Sequence, residues 1–319
     1  MEQKALQIGA TVLAFALLLR LAGTWNEKDP ELGRTLVFLS TGRLAEQTQT
    51  LKEQTEGMAQ PAQETESAVD AIPVFGQDQE ALVQVNSAWS VDVLSLLQQP
   101  LRWNLKTEQP TVLILHSHAT ESYEKQGDYT ETSPYRTLNT AYNMVSVGSH
   151  LAQLLEDGGI TVIHDQTLHD YPSYNDAYGN ARQRVQQILE ENPSICLILD
   201  LHRDAAEDAA GNQKTSTVTI DGKEVANLML VMGSDKGSLS YPDWEVNLAL
   251  AVKLQARLEE IYPALCRPIK LVSSRYNQDL STGALLIEVG TAGNSHAEAL
   301  AAAEYLAQGI LALADGANY

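Results

Sequence analysis

Three short apolar runs that each break off into histidine or carboxylate constrain this chain most. Val112–Leu115 (VLIL) leads into His116, Ser117, His118, Ala119, Thr120 and Glu121. Residues 195–199 lead into Asp200, His202, Arg203 and Asp204, and residues 285–287 into Glu288. Brief runs of β-formers bounded by polar residues read as fully buried strands. In open α/β sheets, ligands gather outside the carboxyl ends of the strands, and all three runs deliver their polar groups there. Strand alternation keeps His116 and His118 on one side for as long as strand geometry lasts, with Glu121 following where the chain turns.

From Pro110 onward strands and helices alternate, which predicts an α/β domain with a mixed, mainly parallel sheet flanked by helices. Residues 140–157 carry Val147, Leu151, Leu154 and Leu155 at helical spacing, and Gly158-Gly159 ends the run. Residues 160–164 read as a strand, 175–191 as a helix and 214–232 as a hairpin turned at Asp221-Gly222. A helix over 243–261 with Asp243 as its cap, a strand over 269–273 and an alanine-rich helix over 295–313 complete the pattern. Between 164 and 178 a loop carries His169, Tyr171, Tyr174 and Tyr178; the tyrosines either line a cleft or pack the loop.

The N-terminal part differs in character. Residues 5–23 are apolar apart from Gln7, Thr11 and Arg20, and about 19 helical residues match a hydrocarbon core of ~30 Å. Lys4 before the run and acids after it orient the chain with its N-terminus in the cytoplasm. Arg20 can snorkel to the far interface, where Trp25 is an aromatic anchor. A cleavable signal peptide is the rival reading, but no A-x-A site is evident. Residues 1–24 are therefore expected to be a cytoplasmic stub and transmembrane signal anchor, leaving the rest extracytoplasmic on a single-pass cell-membrane protein.

Residues 25–108 are expected to form a flexible acidic stalk. Within it, 46–70 hold too few large apolar groups to offset chain entropy, whereas 82–105 regain apolar periodicity with Trp89 and Trp103, as a docking element or as packing on the domain. Residues 109–319 are the expected catalytic domain. A net charge of −20 argues against nucleic acid as a partner. Cys196 and Cys266 do not make a disulfide framework.

Two imidazoles and a carboxylate at a strand end suit Zn²⁺. Each element also has a plainer reading: His116 and His118 as solvated loop residues, Asp200 or Asp204 as partners of Arg203, Glu288 as a helix cap. Arg203 can alternatively bind a substrate carboxylate bidentately. Ser117 lies between histidines, but there is no G-x-S-x-G elbow to make it a nucleophile.

The segments HSHATESY, DLHRDA and IEVGTAGN, in that order, resemble the stage II sporulation protein P family, membrane-anchored peptidoglycan hydrolases similar to the zinc N-acetylmuramoyl-L-alanine amidases. By that resemblance the domain is amidase-like, His118 or His116 and His202 are metal ligands, and Glu288 is the catalytic base. Where the amidases carry their ligand glutamate this chain reads RTLNTAYN, without a carboxylate; Glu121 is the favoured substitute and Glu131 the other. The resemblance implies cleavage of the N-acetylmuramoyl–L-alanine bond, with stem-peptide cross-links as a further target, in septal wall remodelling during engulfment. It also implies stage II sporulation proteins D and M as partners. A non-catalytic module binding wall or partner on the same fold is the alternative, and it would need no general base.

Overall fold

The computed structural model describes residues 75–101 and 103–316. The expected anchor over 5–23 and the polar run over 46–70 lie outside them. In chain order the elements are α1 (Gln77–Glu80), β1 (Val85–Asn86), α2 (Val93–Gln98), β2 (Val112–Leu115), α3 (Met144–Asp157), β3 (Val162–His164), α4 (Ala177–Glu191) and β4 (Leu197–Asp204). They continue with β5 (Thr217–Ile220), β6 (Lys223–Ala226), β7 (Leu228–Met232), α5 (Trp244–Ile261), β8 (Ile269–Leu271), β9 (Ala284–Thr291) and α6 (His296–Ala314).

Seven strands form one sheet in the order β1-β8-β7-β9-β4-β2-β3. Every neighbouring pair is parallel except β7 with β9. This is the mixed, mainly parallel α/β sheet expected. β2 is buried at all four positions, because a parallel sheet is covered on both faces and its central strands are apolar throughout. Alternation sorts their side chains: Val112, Ile114, Leu199, Leu201 and Ile287 join Met144 and Leu151 of α3 in one core. Leu113, Leu115 and Ile198 meet Ala181, Val185 and Ile188 of α4 in another.

Local signals account for most boundaries. Asn143 caps α3 through its side chain, which accepts from the Val145 N–H, and Ser295 with Glu298 forms a capping box at α6. Asp243 precedes α5 but its side chain makes no cap bond, so that expectation is corrected. The hairpin is shorter than expected: β5 and β6 pair across Asp221-Gly222, while β7 joins the main sheet. By length and composition α6 would pass for a membrane span, yet Ala299, Leu306 and Ile310 are buried in the main core.

The segment before residue 109 enters the same core. Phe75, Leu96, Leu97 and Leu105 are buried in it, β1 extends the sheet edge through β8, and Lys253 of α5 donates to the Leu96 carbonyl at 2.6 Å. Trp89 and Trp103 pack against that core.

Candidate metal centre

β2 stops at Leu115, and this decides the fate of the two histidines. His116 still follows strand alternation and points to the α3 face, with Nδ1 3.1 Å from the Leu201 carbonyl and Nε2 2.9 Å from Nε2 of His164. The chain then turns, the Glu121 N–H reaching back to the His118 carbonyl at 3.1 Å. That turn swings His118 and Glu121 to the other face. On β4, Asp200 and His202 are two residues apart and share this face; His202 is in register with Glu288 on β9. A register shift follows between His202 and Asp204, a bulge of the kind found beside sites.

The result is a compact donor set. One atom each from His118, Glu121 and His202 lies within 4.8 Å of the others. Glu121 Oε1 is 3.6 Å from His118 Nδ1, and Oε2 is 3.5 Å from His202 Nδ1. His202 Nε2 lies 3.0 Å from Asp200 Oδ1, at an angle that leaves it no directed hydrogen bond. Asp200 in turn accepts from the Ser117 N–H at 2.8 Å and its hydroxyl at 2.6 Å. Two imidazoles and one carboxylate, with a further carboxylate behind one imidazole, fit a divalent cation such as zinc. Glu288 adds to the fit: its Oε2 is buried with no hydrogen-bond partner among the described residues.

Electrostatics follow from burial without solvent. Burial pushes Glu121 up, but Arg203, His118 and His202 outweigh it and hold the carboxyl well below its usual range. Burial pulls His202 down, and Asp200 with Glu121 reverses this, placing it well above an ordinary histidine. Glu288 is raised to about 8, mainly by burial, with His202 opposing and Glu121 adding to the rise.

Several candidates land elsewhere. His116, expected as an alternative ligand, has both ring nitrogens engaged on the opposite face and is not brought to the cluster. Arg203 is buried, donating from Nε to the Ser122 carbonyl and from Nη2 to the Tyr135 carbonyl, both at 3.0 Å, while Nη1 faces Glu121 at 3.6 Å. It pairs with neither Asp200 nor Asp204 and offers no free edge to a substrate carboxylate; Asp204 pairs with Arg267 at 2.7 Å. Glu131 accepts from the Tyr135 N–H at 3.1 Å and stays out of the cluster. His169 of the loop between 164 and 178 is buried and bonded to Asp165 at 2.9 Å.

Other participants had weak or no sequence signals. Asp170 accepts from Thr120 and Arg136, and Arg136 also binds Glu121 at 3.1 Å, so the tyrosine-rich loop is tied to the turn after β2. Tyr174 stacks on His118 with ring centroids 4.6 Å apart. Tyr178 meets His118 edge-on at 5.2 Å and lies nearly parallel to His202 at 6.3 Å. Burial pushes the Tyr178 hydroxyl above its ordinary range, and Asp200, Tyr276, Glu121 and Glu288 act in the same direction.

Fold and site together define an α/β protein with a His118–Glu121–His202 cluster, of the donor set and spacing that suit a metal ion, at the carboxyl edge of a mainly parallel sheet. The chain belongs to the Stage II sporulation protein P family, whose profile matches residues 32–311. Stage II sporulation protein P of Bacillus subtilis (strain 168) is 31% identical over 201 residues, 59% of this chain and 47% of that protein, so the match spans about half the relative's length. Among solved structures, the N-acetylmuramoyl-L-alanine amidase from Clostridium difficile 630 is similar over 66% of this chain and 98% of its own, at 18% identity and a TM-score of 0.37. The catalytic domain of CwlV, N-acetylmuramoyl-L-alanine amidase from Bacillus (Paenibacillus) polymyxa var. colistinus, is similar over 65% and 95%, at 12% identity and a TM-score of 0.38. The fold class rests on the strand order, not on these likenesses.

Proposed function

We propose that the chain is a zinc-dependent peptidoglycan hydrolase that cuts the N-acetylmuramoyl–L-alanine amide bond. The observation that carries the chemistry is the His118–Glu121–His202 cluster beside Glu288, whose Oε2 is buried without a hydrogen-bond partner among the described residues. Family membership and the three site motifs support the substrate, and the same motifs put stem-peptide cross-links second. Zinc, when bound, supplies a Lewis acid that polarises the amide carbonyl and acidifies a water. His118, Glu121 and His202 would hold it, Asp200 steadying His202 through the far ring nitrogen. Glu288 takes the proton of the attacking water and returns it to the leaving amine. A nearby dication favours the ionised form of Glu288, offsetting the burial that otherwise raises it. Arg203 and Arg136 hold the Glu121 carboxylate in place rather than the substrate. Anchoring of the domain to the outer face of the cell membrane by residues 5–23, and partnership with stage II sporulation proteins D and M, complete the reading.

The test pairs two variants of the zinc-loaded chain on dye-labelled cell wall. His202→Ala should lose both zinc and activity. Glu288→Gln should keep zinc and lose at least ~10²-fold in rate, the scale of a general base. Zinc lost with Glu288→Gln would make Glu288 a ligand. A zinc-loaded parent chain that exposes no new L-alanine amino groups would sink the reading.

A further inference from the structure

Amide cleavage at this cluster has a requirement that no residue yet meets: a hydrogen-bond donor for the carbonyl oxygen as negative charge develops on it. The question rests on the hydrolase reading above. Most donors around the cluster are already committed. Arg203 spends Nε and Nη2 on the Ser122 and Tyr135 carbonyls. Arg136 is divided between Thr120, Asp170 and Glu121. Ser117 gives its hydroxyl to Asp200, and Tyr123 gives its own to the Val289 carbonyl at 2.8 Å.

Tyr178 differs from all of these. Its ring lies against both proposed histidine ligands, and among the described residues its hydroxyl has no hydrogen-bond partner. A phenol remains an O–H donor at neutral pH. The residue sits in the first turn of α4, where Asn277 Nδ2 donates to its backbone carbonyl at 2.8 Å, so a helix aims the ring rather than a loop. Tyr174, by contrast, contacts only His118 of the two histidines and is 52% exposed. We propose that Tyr178 is a further catalytic residue, whose hydroxyl donates to the oxyanion that forms on the scissile carbonyl. It forms and breaks no covalent bond and keeps its proton throughout.

The experiment compares the zinc-loaded full chain with Tyr178→Phe and Tyr174→Phe on a muramoyl-peptide substrate, with zinc affinity and melting temperature measured on each. Removing one oxyanion donor typically costs ~10²–10³-fold in kcat. That loss is expected for Tyr178→Phe, with KM within a few-fold and zinc affinity unchanged. A tetrahedral phosphinate analogue of the amide should lose affinity for Tyr178→Phe by a similar factor, because it is bound as the transition state is. Tyr174→Phe should stay within a few-fold of the parent in kcat. Parent-like kcat and phosphinate affinity in Tyr178→Phe would overturn the assignment while leaving the hydrolase reading intact. So would a kcat loss accompanied by loss of zinc, which makes the tyrosine a support for the histidines. A zinc-loaded parent inactive on the amide overturns both.

Discussion

Glu121 answers to four side chains at once: His118 and His202 through its two oxygens, and Arg136 and Arg203 from behind. Its charge is what the cluster is built around, so Glu121→Gln should weaken zinc binding by more than the ~10–100-fold typical of a residue that merely supports a ligand. Glu131→Gln should leave zinc affinity unchanged, because that carboxylate is occupied at the Tyr135 N–H. Competition against a chromophoric chelator reads both, and the reverse order would move the third ligand to Glu131. His118, His202, Glu121 and Glu288 were legible because a buried strand followed at once by His or Glu is a local pattern. The choice between His116 and His118 was not, since it depends on the residue at which β2 ends and the chain turns. Asp200 was readable in principle, two residues before His202 and so on its face, but Arg203 next door offered an equally good partner in one dimension. For Arg203 the sequence leaves a carboxylate partner and a substrate contact both open, because its actual acceptors, the Ser122 and Tyr135 carbonyls, lie far away in sequence.

At the scale of elements, the contact of β2, β3 and α3 turns on one glycine. A Cβ on Gly148 would land on both His116 and His164, so Gly148→Ala forces the imidazole pair or the helix to move, at about 1–3 kcal/mol for overpacking. A drop in melting temperature without loss of zinc binding is the expected result. The pair also makes stability depend on pH. Burial and then His164 lower His116 to about 3, and burial lowers His164 to about 4, against 6.5 in the unfolded chain. The unfolded state therefore takes up protons first, so their stabilisation is complete above pH 6.5 and is lost as pH falls through about 4 for His164 and about 3 for His116. His164→Gln, which can still donate to His116, should flatten the melting-temperature profile over that window; an unchanged slope would remove the pair from the account. The helices and strands themselves were largely readable, since caps and apolar periods are local. β7 was not, because its hydrophobic run also suits a hairpin arm and only its pairing with β9 and β8 distinguishes the two.

For the whole molecule, one compact unit runs from Glu66 to Tyr319 and holds His118, Glu121, His202 and Glu288. A chain beginning at Glu66 should unfold in one cooperative transition and bind zinc like the full-length protein. One beginning at Gln109 loses Phe75, Leu96, Leu97 and Leu105 from the core and should melt far lower or fail to fold. Calorimetry on the two fragments decides it, and equal melting temperatures would make the 75–108 segment an ornament. Its packing was hard to foresee because apolar spacing shows that a segment has a face to bury, not which surface covers it. The strand order carries a mechanical consequence. The described fold begins at Phe75 and α1, and the first strand after them, β1, is a two-residue edge strand with β8, β7 and β9 between it and β4. A pull arriving through the preceding residues loads that short margin, with α1, β1 and α2, ahead of the β9, β4 and β2 clamp around the cluster.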